Sequence, residues 1–278
     1  MIQHIAPHRF HNQWGQFSPA DEDKIFCFSR REVLTDRDGH LPRYAQLKAL
    51  GVEEYRYLFS IDQERYFLAW TDQRLELAGF FYHSDRDLRR NHPTRKALSG
   101  FTAVHLNQWY RANRYCGRCG AALVPGPDER RMDCPRCGNR VYPRLNPAII
   151  VAVTDGDRLL MTRYNPRSGH SVTHYVLIAG FIEIGETAEQ AVEREVLEEV
   201  SLRVKNIRYF GSQPWGIDGT LTLGYTAELD RSGGMNPHAE ENELSDAKWF
   251  PRSEVPVPKD ELSITSDMIR RFAEGGIR

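Results

Sequence analysis

The sequence predicts a mixed α/β protein with three parts: an N-terminal α/β domain, a short cysteine-bearing segment and a C-terminal α/β/α sandwich. Three observations support this. Short runs of alternating aromatic and apolar residues fill the first third of the chain, and four cysteines stand in two CxxC pairs. In the last half, apolar strand-like runs flank one glutamate-rich helix. We place the three parts at residues 1–112, 113–142 and 143–278.

The N-terminal part contains runs that are typical of strands, such as residues 55–59 and 65–70. Four apolar residues at near-helical spacing then predict a helix from Pro93 onward: Ala97, Phe101, Val104 and Trp109. Cys27 is interpreted as a small buried residue. These patterns contain no catalytic constellation, so the chemistry is expected elsewhere.

The four paired cysteines follow the spacing Cys116-x2-Cys119-x14-Cys134-x2-Cys137. Such pairs would be unusual as a disulfide framework in a chain of 278 residues, and metal binding fits them better. Four thiolates leave no position for a substrate. The pattern therefore predicts a structural Zn²⁺ site within residues 113–142.

The C-terminal part alternates apolar runs with turns and ends in an amphipathic segment. Strands are predicted at 148–153, 158–161, 175–179, 206–212 and 221–229, and a final helix at 265–274. Strands with helices on both faces predict an α/β/α sandwich.

The glutamate-rich helix, expected to begin near Thr187, carries the sharpest chemical signal. Glu195, Glu198 and Glu199 project within an arc of roughly 100°. Like charges three and four residues apart destabilise a helix, and a hard cation such as Mg²⁺ or Mn²⁺ would compensate. A solvated acidic face is the ordinary alternative. The exact spacing favours the metal site.

The spacing of residues in and before the acidic helix matches a known sequence pattern. Gly180, Glu186, Arg194, Glu195, Glu198 and Glu199 match Gly-x5-Glu-x7-Arg-Glu-apolar-x-Glu-Glu-x-Gly-apolar, which resembles the Nudix box. Ser201 stands where the pattern has glycine, a helix C-cap residue that tolerates positive φ. The Nudix fold is an α/β/α sandwich, in agreement with the strand pattern.

The resemblance covers roughly residues 110–260 and narrows to the branch of NADH pyrophosphatases that carry a zinc ribbon. The four cysteines support that branch, as do three short motifs: Tyr142-Pro143-Arg144, Ala179-Gly180-Phe181 and Ser212-Gln213-Pro214-Trp215. Residues 216–220 depart from it, because they read Gly-Ile-Asp-Gly-Thr where the family usually has Pro-Phe-Pro-x-Ser.

By resemblance, Glu195, Glu198 and Glu199 are the catalytic metal ligands. Glu243 aligns with an additional glutamate of the family and is a candidate ligand or general base, with an acidic surface loop as an equal alternative. Arg194 is expected to orient a carboxylate of the box, and Glu186 to support the junction between loop and helix.

The resemblance also implies a substrate pocket. Phe181 and Tyr142 stand where that branch stacks a nucleotide base, although both could be ordinary core aromatics. Trp215 is a candidate pocket wall, and Gln213 belongs to the same motif.

The implied activity is metal-dependent hydrolysis of NAD(H) to AMP and nicotinamide mononucleotide, and removal of NAD caps from RNA. The altered residues 216–220 leave open another nucleoside diphosphate derivative as substrate. A nucleic-acid-binding protein is a third hypothesis, because eight arginines cluster around the cysteines: Arg111, Arg114, Arg118, Arg130, Arg131, Arg136, Arg140 and Arg144.

Composition limits the remaining possibilities. A formal net charge of −1 and 40% apolar residues describe an ordinary soluble protein. No run approaches the roughly 20 apolar residues that cross a bilayer, so membrane insertion is not expected. The N-terminus lacks a secretory signal pattern, which predicts a cytoplasmic location. Resemblance alone suggests a homodimer.

Overall fold

The computed structural model describes residues 1–71, 73–89, 94–166, 174–259 and 261–277. The chain forms two compact units. The C-terminal unit contains Met1–Ile2, Leu145–Trp215 and Thr220–Arg278, and the N-terminal unit contains Gln3–Arg144 and Gly216–Gly219.

The N-terminal unit is built on a six-stranded sheet with the order β1-β4-β5-β2-β3-β6. Its strands are β1 (Phe10–His11), β2 (Lys24–Ser29), β3 (Glu32–Asp36), β4 (Tyr55–Ile61), β5 (Glu64–Trp70) and β6 (Phe80–Ser84). Its helices are α1 (Tyr44–Lys48) and α2 (Thr94–Ala112). Cys27 is fully buried in the core, as predicted. Helix α2 confirms the predicted helix, and Pro93 lies outside the described residues.

The cysteine segment forms a small antiparallel sheet in the same unit. Its strands are β7 (Val124–Pro125), β8 (Met132–Asp133) and β9 (Arg140–Val141), with β8 in the centre. The first cysteine pair precedes β7, and the second lies between β8 and β9. Gly120 and Gly138 each follow the second cysteine of a pair and have positive φ. Glycine is favoured there because the left-handed region suits a residue without Cβ.

The C-terminal unit contains a mixed sheet and two long helices. Its strands are β10 (Asn146–Asp155), β11 (Arg158–Tyr164), β12 (Ile178–Phe181), β13 (Val204–Trp215), β14 (Thr220–Leu229) and β15 (Leu244–Pro251). The order is β13-β14-β10-β11-β15, with β12 also paired to β10. Only the β10–β14 pair is parallel among these. The helices are α3 (Ala188–Val200) and α4 (Ile264–Ala273).

Strand β10 separates two cores. Its side chains alternate between the faces of the sheet. Ile149, Val151 and Val153 pack in one core with α3, whereas Ile150 and Ala152 pack in the other with α4. Helices thus cover both faces, and the predicted α/β/α sandwich is confirmed.

The strand that leads into the acidic helix is shifted from its predicted place. Residues 175–179 were expected, but β12 spans Ile178–Phe181. Val176 forms only an isolated bridge to Thr162. An apolar run marks burial but not register, so the sequence did not distinguish the bridge from the strand. No helix among the described residues has the length and apolar character needed to cross a membrane.

Candidate active site

Helix α3 begins with a capping box. Thr187 accepts a hydrogen bond from the Gln190 backbone N–H (3.2 Å), and the Gln190 side chain accepts one from the Thr187 N–H (2.9 Å). These bonds satisfy amide groups that the helix would otherwise leave without partners. At the other end, Ser201 adopts the left-handed conformation (φ 57°), which is the conformation expected of the glycine in the sequence pattern.

Strand β12 brings the chain close to the acidic face of α3 at Gly180. A Cβ atom at this position would overlap the Glu195 carboxylate. Gly180 pairs with Ile149 of β10, so its backbone is held in the sheet. Glycine therefore leaves room for the Glu195 carboxylate to lie against the strand.

Arg194 connects the loop before α3 to the helix. Its Nε and Nη2 donate to the two oxygens of Glu186 (2.8 and 3.0 Å), and Nη2 also donates to the Phe181 carbonyl (2.9 Å). Its Nη1 donates to Glu195 Oε1 (2.7 Å) and Glu198 Oε2 (3.0 Å). The paired bonds to Glu186 fix the guanidinium plane. Arg194 thus contacts the loop and two box glutamates, and its orienting role and the junction role of Glu186 stay predictions.

The three box glutamates differ in their surroundings. Glu198 is largely exposed, with 60% of its side chain accessible, whereas Glu199 is 3% exposed. Burial raises the pKa of Glu199 to about 8, and the charges of Glu243, Glu195 and Glu198 add to the shift. Burial also raises the pKa of Glu195, despite the opposing contact with Arg194.

One oxygen of this cluster has no partner. Glu199 Oε1 is buried and makes no hydrogen bond in the described structure. A carboxylate in this state is unfavourable unless a proton or a cation compensates it. The donor atoms are oxygens, which suit a hard divalent ion.

Glu243 lies in the turn before β15, beside the box glutamates. Its backbone N–H donates to Glu240 Oε2 (3.0 Å), and its charge raises the pKa of both Glu195 and Glu199. Glu240 is tied to the helix end, because its N–H donates to the Glu199 carbonyl (2.9 Å). The structure therefore brings Glu243 to the cluster, and its role stays a prediction.

Sequence reasoning missed Tyr164, at the end of β11. Burial raises its pKa to about 12, with added contributions from Glu199, Glu243 and Glu195. Tyr164 pairs with Leu244 in β15, next to Glu243. Only the pairing of β11 with β15 places it here, and no local motif signals that pairing.

The carboxylate groups of Glu195, Glu198, Glu199 and Glu243 lie in one region, but their oxygens do not meet around a single point. Within the described part of the chain, no three of their oxygens lie within 4.8 Å of one another. Arg194 Nη1 contacts both Glu195 and Glu198, so it supplies positive charge between them. The arrangement is that of an open site rather than a closed cage.

The four ribbon cysteines do converge. Their sulfur atoms all lie within 4.8 Å of one another. The Sγ atoms of Cys116 and Cys137 are 3.6 Å apart, and those of Cys119 and Cys134 are 3.5 Å apart. Zn–S bonds of about 2.3 Å in a tetrahedron place sulfurs about 3.8 Å apart. A hydrogen bond from the Arg118 amide lowers the pKa of Cys116 to about 6. The thiols thus fit a tetrahedral metal ion.

The predicted substrate residues lie in different settings. Phe181, at the end of β12, is 55% exposed, and Trp215, at the end of β13, is half-buried. Tyr142 is 48% exposed and donates to Glu129 Oε1 (2.8 Å). These exposures exclude fully buried core positions for the three rings.

Gln213 is buried and bonded to backbone. Its Nε2 donates to the Leu262 carbonyl (2.7 Å), and its Oε1 accepts from the Ile264 N–H at the start of α4 (2.7 Å). These bonds give Gln213 a packing role, and contact between Gln213 and substrate stays a prediction.

Two family models match the chain. The NUDIX domain model covers residues 144–272, and the NADH pyrophosphatase zinc ribbon domain model covers residues 111–142. A protein of Pseudomonas fluorescens named NAD-capped RNA hydrolase NudC is 35% identical over 260 residues, which are 93% of this chain and 90% of that protein. The chain belongs to the Nudix hydrolase family.

Other relatives of this Nudix hydrolase match over less of their length. The protein of the same name from Actinobacillus succinogenes is 45% identical over 161 residues, 56% of this chain and 59% of that protein. The chain thus spans about three fifths of that relative. A crystal structure of a NUDIX hydrolase from Nitrosomonas europaea matches 58% of this chain and 91% of its own, at 22% identity and a TM-score of 0.48.

The segment in which this Nudix hydrolase departs from the usual motif is a hairpin turn. Residues Gly216–Gly219 connect β13 to β14 and belong to the N-terminal unit. A Cβ at Gly216 would overlap the Phe101 carbonyl of α2, and the Ile217 carbonyl accepts from Gln108 Nε2 (3.4 Å). Asp218 is exposed. The departure is therefore accommodated by packing on α2.

Proposed function

We propose that the chain hydrolyses the pyrophosphate bond of NAD(H) to AMP and nicotinamide mononucleotide, and that it also removes NAD caps from RNA. The relatives named NAD-capped RNA hydrolase NudC support this substrate class. The observation that carries the proposal is the buried Glu199 oxygen without a partner, set among three further carboxylates.

Glu195, Glu198 and Glu199 would hold Mg²⁺ or Mn²⁺, with Glu243 as a fourth ligand or as the general base. When bound, such ions neutralise phosphate oxygens and lower the pKa of coordinated water. The buried Glu199 would contribute a desolvated donor, whereas the exposed Glu198 would contribute a donor on the solvent side of the cation. Arg194 keeps Glu195 oriented through its bonds to the loop.

We propose Glu243 as the candidate general base for the attacking water. An ionised carboxylate at Glu243 can accept a proton from an attacking water, since it lies beside the box but outside helix α3. The net negative charge of the site repels a bare diphosphate, so substrate binding requires compensating cations.

In the ribbon, we propose Zn²⁺ with a structural role. The four thiols, Cys116, Cys119, Cys134 and Cys137, fill a tetrahedron and leave no position for substrate. The chemistry is therefore assigned to the carboxylates.

By resemblance, base stacking is proposed for the exposed ring of Phe181 and, separately, for that of Tyr142, and Trp215 would form a pocket wall. Each is exposed enough to contact a ligand. Stacking contributes about 1–3 kcal/mol per base.

A second candidate substrate is another nucleoside diphosphate derivative. The altered turn at residues 216–220 favours it, because this part of the motif differs from that of NAD(H)-preferring enzymes. The exposed Asp218 would disfavour an anionic group placed beside it.

A substrate screen tests both candidates. Purified protein with Mg²⁺ or Mn²⁺ is incubated separately with NADH, NAD, ADP-ribose, a diadenosine polyphosphate and NAD-capped RNA, and products are identified by mass spectrometry. AMP and nicotinamide mononucleotide from NADH or NAD support the proposal. Turnover of ADP-ribose or the diadenosine compound alone would replace it with the second candidate.

We also propose a homodimer, on the family resemblance, and a cytoplasmic location, on the sequence pattern. Light scattering coupled to size-exclusion chromatography measures the first, since a mass near 32.1 kDa would indicate a monomer.

A further inference from the structure

A groove in the N-terminal unit is lined by arginines and aromatic rings. It has a volume of about 980 Å³. Four arginines from three chain segments line it: Arg30, Arg56, Arg111 and Arg114. Glu53 and Glu54 are the acidic residues among its lining, so the formal charge is 4 − 2 = +2. The catalytic proposal uses none of these residues.

These arginines have no carboxylate partner. Across the described ranges, none of the four forms an ion pair. Arg111 Nη1 donates instead to the Arg30 carbonyl (3.0 Å), and Arg56 Nη1 to the Tyr55 carbonyl (3.1 Å). Several unpaired cations around one concave surface attract a polyanion.

Two of the ribbon arginines differ, because they make their contacts within the fold. Arg131 is buried and contacts Asp128, Glu129 and Asp133 at 2.5–2.7 Å. Arg130 is half-buried and donates to the Leu58 carbonyl and to Asn12 Oδ1. These two support the fold. Of the eight arginines, Arg111 and Arg114 are the ones that line the groove.

Aromatic rings line the same groove as the arginines. Tyr115 is 63% exposed. Trp70 is half-buried, packs edge-on against Tyr110 with centroids 5.6 Å apart, and is fixed by a hydrogen bond to Asn107 Oδ1 (2.7 Å). Rings held at a basic surface stack unpaired bases, whereas a duplex hides its base faces.

The basic surface continues beyond the groove. A neighbouring cavity of about 520 Å³ shares Arg30 and Arg111, adds Arg31 and Arg86, and is also lined by Asp85 and Asp218. Arg31 is paired with Asp85 there (3.3 Å). A nucleic acid strand carries a phosphate on every nucleotide, so it can extend over both neighbouring cavities, whereas a single small anion would occupy only one.

We propose that this groove binds single-stranded nucleic acid, with phosphates on the arginines and bases on Tyr115 and Trp70. The inference does not depend on the proposed hydrolysis. The binding surface and the carboxylate site are made of different residues, and each is tested by itself.

The test uses the full-length protein and a short fluorescein-labelled poly(U) with a 5′-hydroxyl, which contains no pyrophosphate bond. Affinity is measured by fluorescence anisotropy as a function of salt. Because single strands give a slope of about −0.7 per phosphate contact, engagement of three or four arginines predicts a log–log slope of about −2 to −3.

The decisive variant is Arg30→Glu/Arg114→Glu, matched by Arg118→Glu/Arg140→Glu on exposed positions of the same unit outside the groove. Both variants change the formal charge equally. We expect the groove variant to bind at least about 10-fold more weakly and to lose about 1.4 from the salt slope, and the control to stay within about threefold. Equal affinity of the two variants would overturn the proposal.

Tyr115→Ala tests stacking without a charge change, with Tyr209→Ala as the exposed control in the C-terminal unit. We expect about fivefold weaker binding for Tyr115→Ala alone. A duplex that binds as tightly as poly(U) would contradict the stacking assignment. Melting temperature and zinc content identify any variant that fails to fold, and Tyr115→Ala then remains as the test.

Discussion

The cysteine ribbon and the carboxylate cluster show two ways of preparing a place for a metal ion. The ribbon sulfurs converge to within 4.8 Å of one another, so the protein alone completes a tetrahedron. The carboxylates of α3 stay apart, with Arg194 between two of them and one buried oxygen without a partner. A closed site stabilises a fold, whereas an open site leaves positions for water and substrate.

The largest expected effect is the loss of stability when a cysteine of the closed site is replaced. In Cys119→Ala, the loss of one ligand releases zinc and removes much of its binding free energy, about 10 kcal/mol or more for small zinc domains. We expect a lowered melting temperature and loss of zinc by elemental analysis. Cys27→Ala, which removes a buried cysteine outside the ribbon, should cost only about 1 kcal/mol and keep the metal. An unchanged melting temperature in Cys119→Ala would show that the closed site does not stabilise the fold, and the contrast between the two sites would no longer hold.

Substitution of a carboxylate in the open site should lower catalytic activity and leave the stability of the fold nearly unchanged. In Glu198→Gln, we expect kcat to fall by about 100-fold to 1,000-fold because a metal ligand is lost. The unfolding free energy should change by less than about 1 kcal/mol, since Glu198 is exposed and its pair with Arg194 is a surface ion pair. Glu193→Gln, an exposed glutamate on the same helix, is the control. An active Glu198→Gln protein would contradict the assigned ligands.

The buried carboxylate makes the metal-free protein sensitive to pH. The pKa of Glu199 is raised to about 8 in the folded chain, so its favourable contribution is present below about 4.5 and is lost as the pH rises through about 8. In EDTA, we expect the free energy of unfolding to fall by about 5 kcal/mol from below the lower of these two pH values to above the higher.

Denaturant titrations at several pH values measure this effect. Glu199→Gln should flatten the dependence, because the amide does not ionise, whereas Glu193→Gln should keep it. A Glu199→Gln protein with the full pH dependence would show that another group is responsible.

The smallest effect is expected at the end of α3. Ser201→Gly should stabilise the protein by about 0.5 kcal/mol, because glycine adopts the left-handed conformation without strain but gains more freedom in the unfolded chain. Thermal unfolding measures the change. Ser201→Ala keeps the strain and should give no gain, so equal melting temperatures for the two variants would contradict the explanation.

Much of this architecture could be predicted because it rests on local spacing. The stripe of Val192, Val196 and Val200 faces the sheet as its four-residue period indicates. The sulfurs of the CxxC pairs meet because tight turns bring each pair together.

What could not be predicted depends on which strands become neighbours. Tyr164 reaches the carboxylates only through the pairing of β11 with β15. Arg30 and Arg111 meet only because the turn after β2 lies beside the end of α2. Long-range pairing leaves no periodic mark in the sequence, and neither does the difference between a buried arginine such as Arg131 and one that lines a groove.

Strand β10 is shared by two cores, and this gives its positions unequal freedom to vary. A change at Val151 alters the wall against which α3 rests, and so displaces carboxylates whose separation decides the chemistry. A change at Ala152 is transmitted instead to α4, which carries no part of the proposed site. Substitutions should therefore accumulate on alternate residues of this strand, and a homologue could repack one layer of the sandwich without altering what the other layer does.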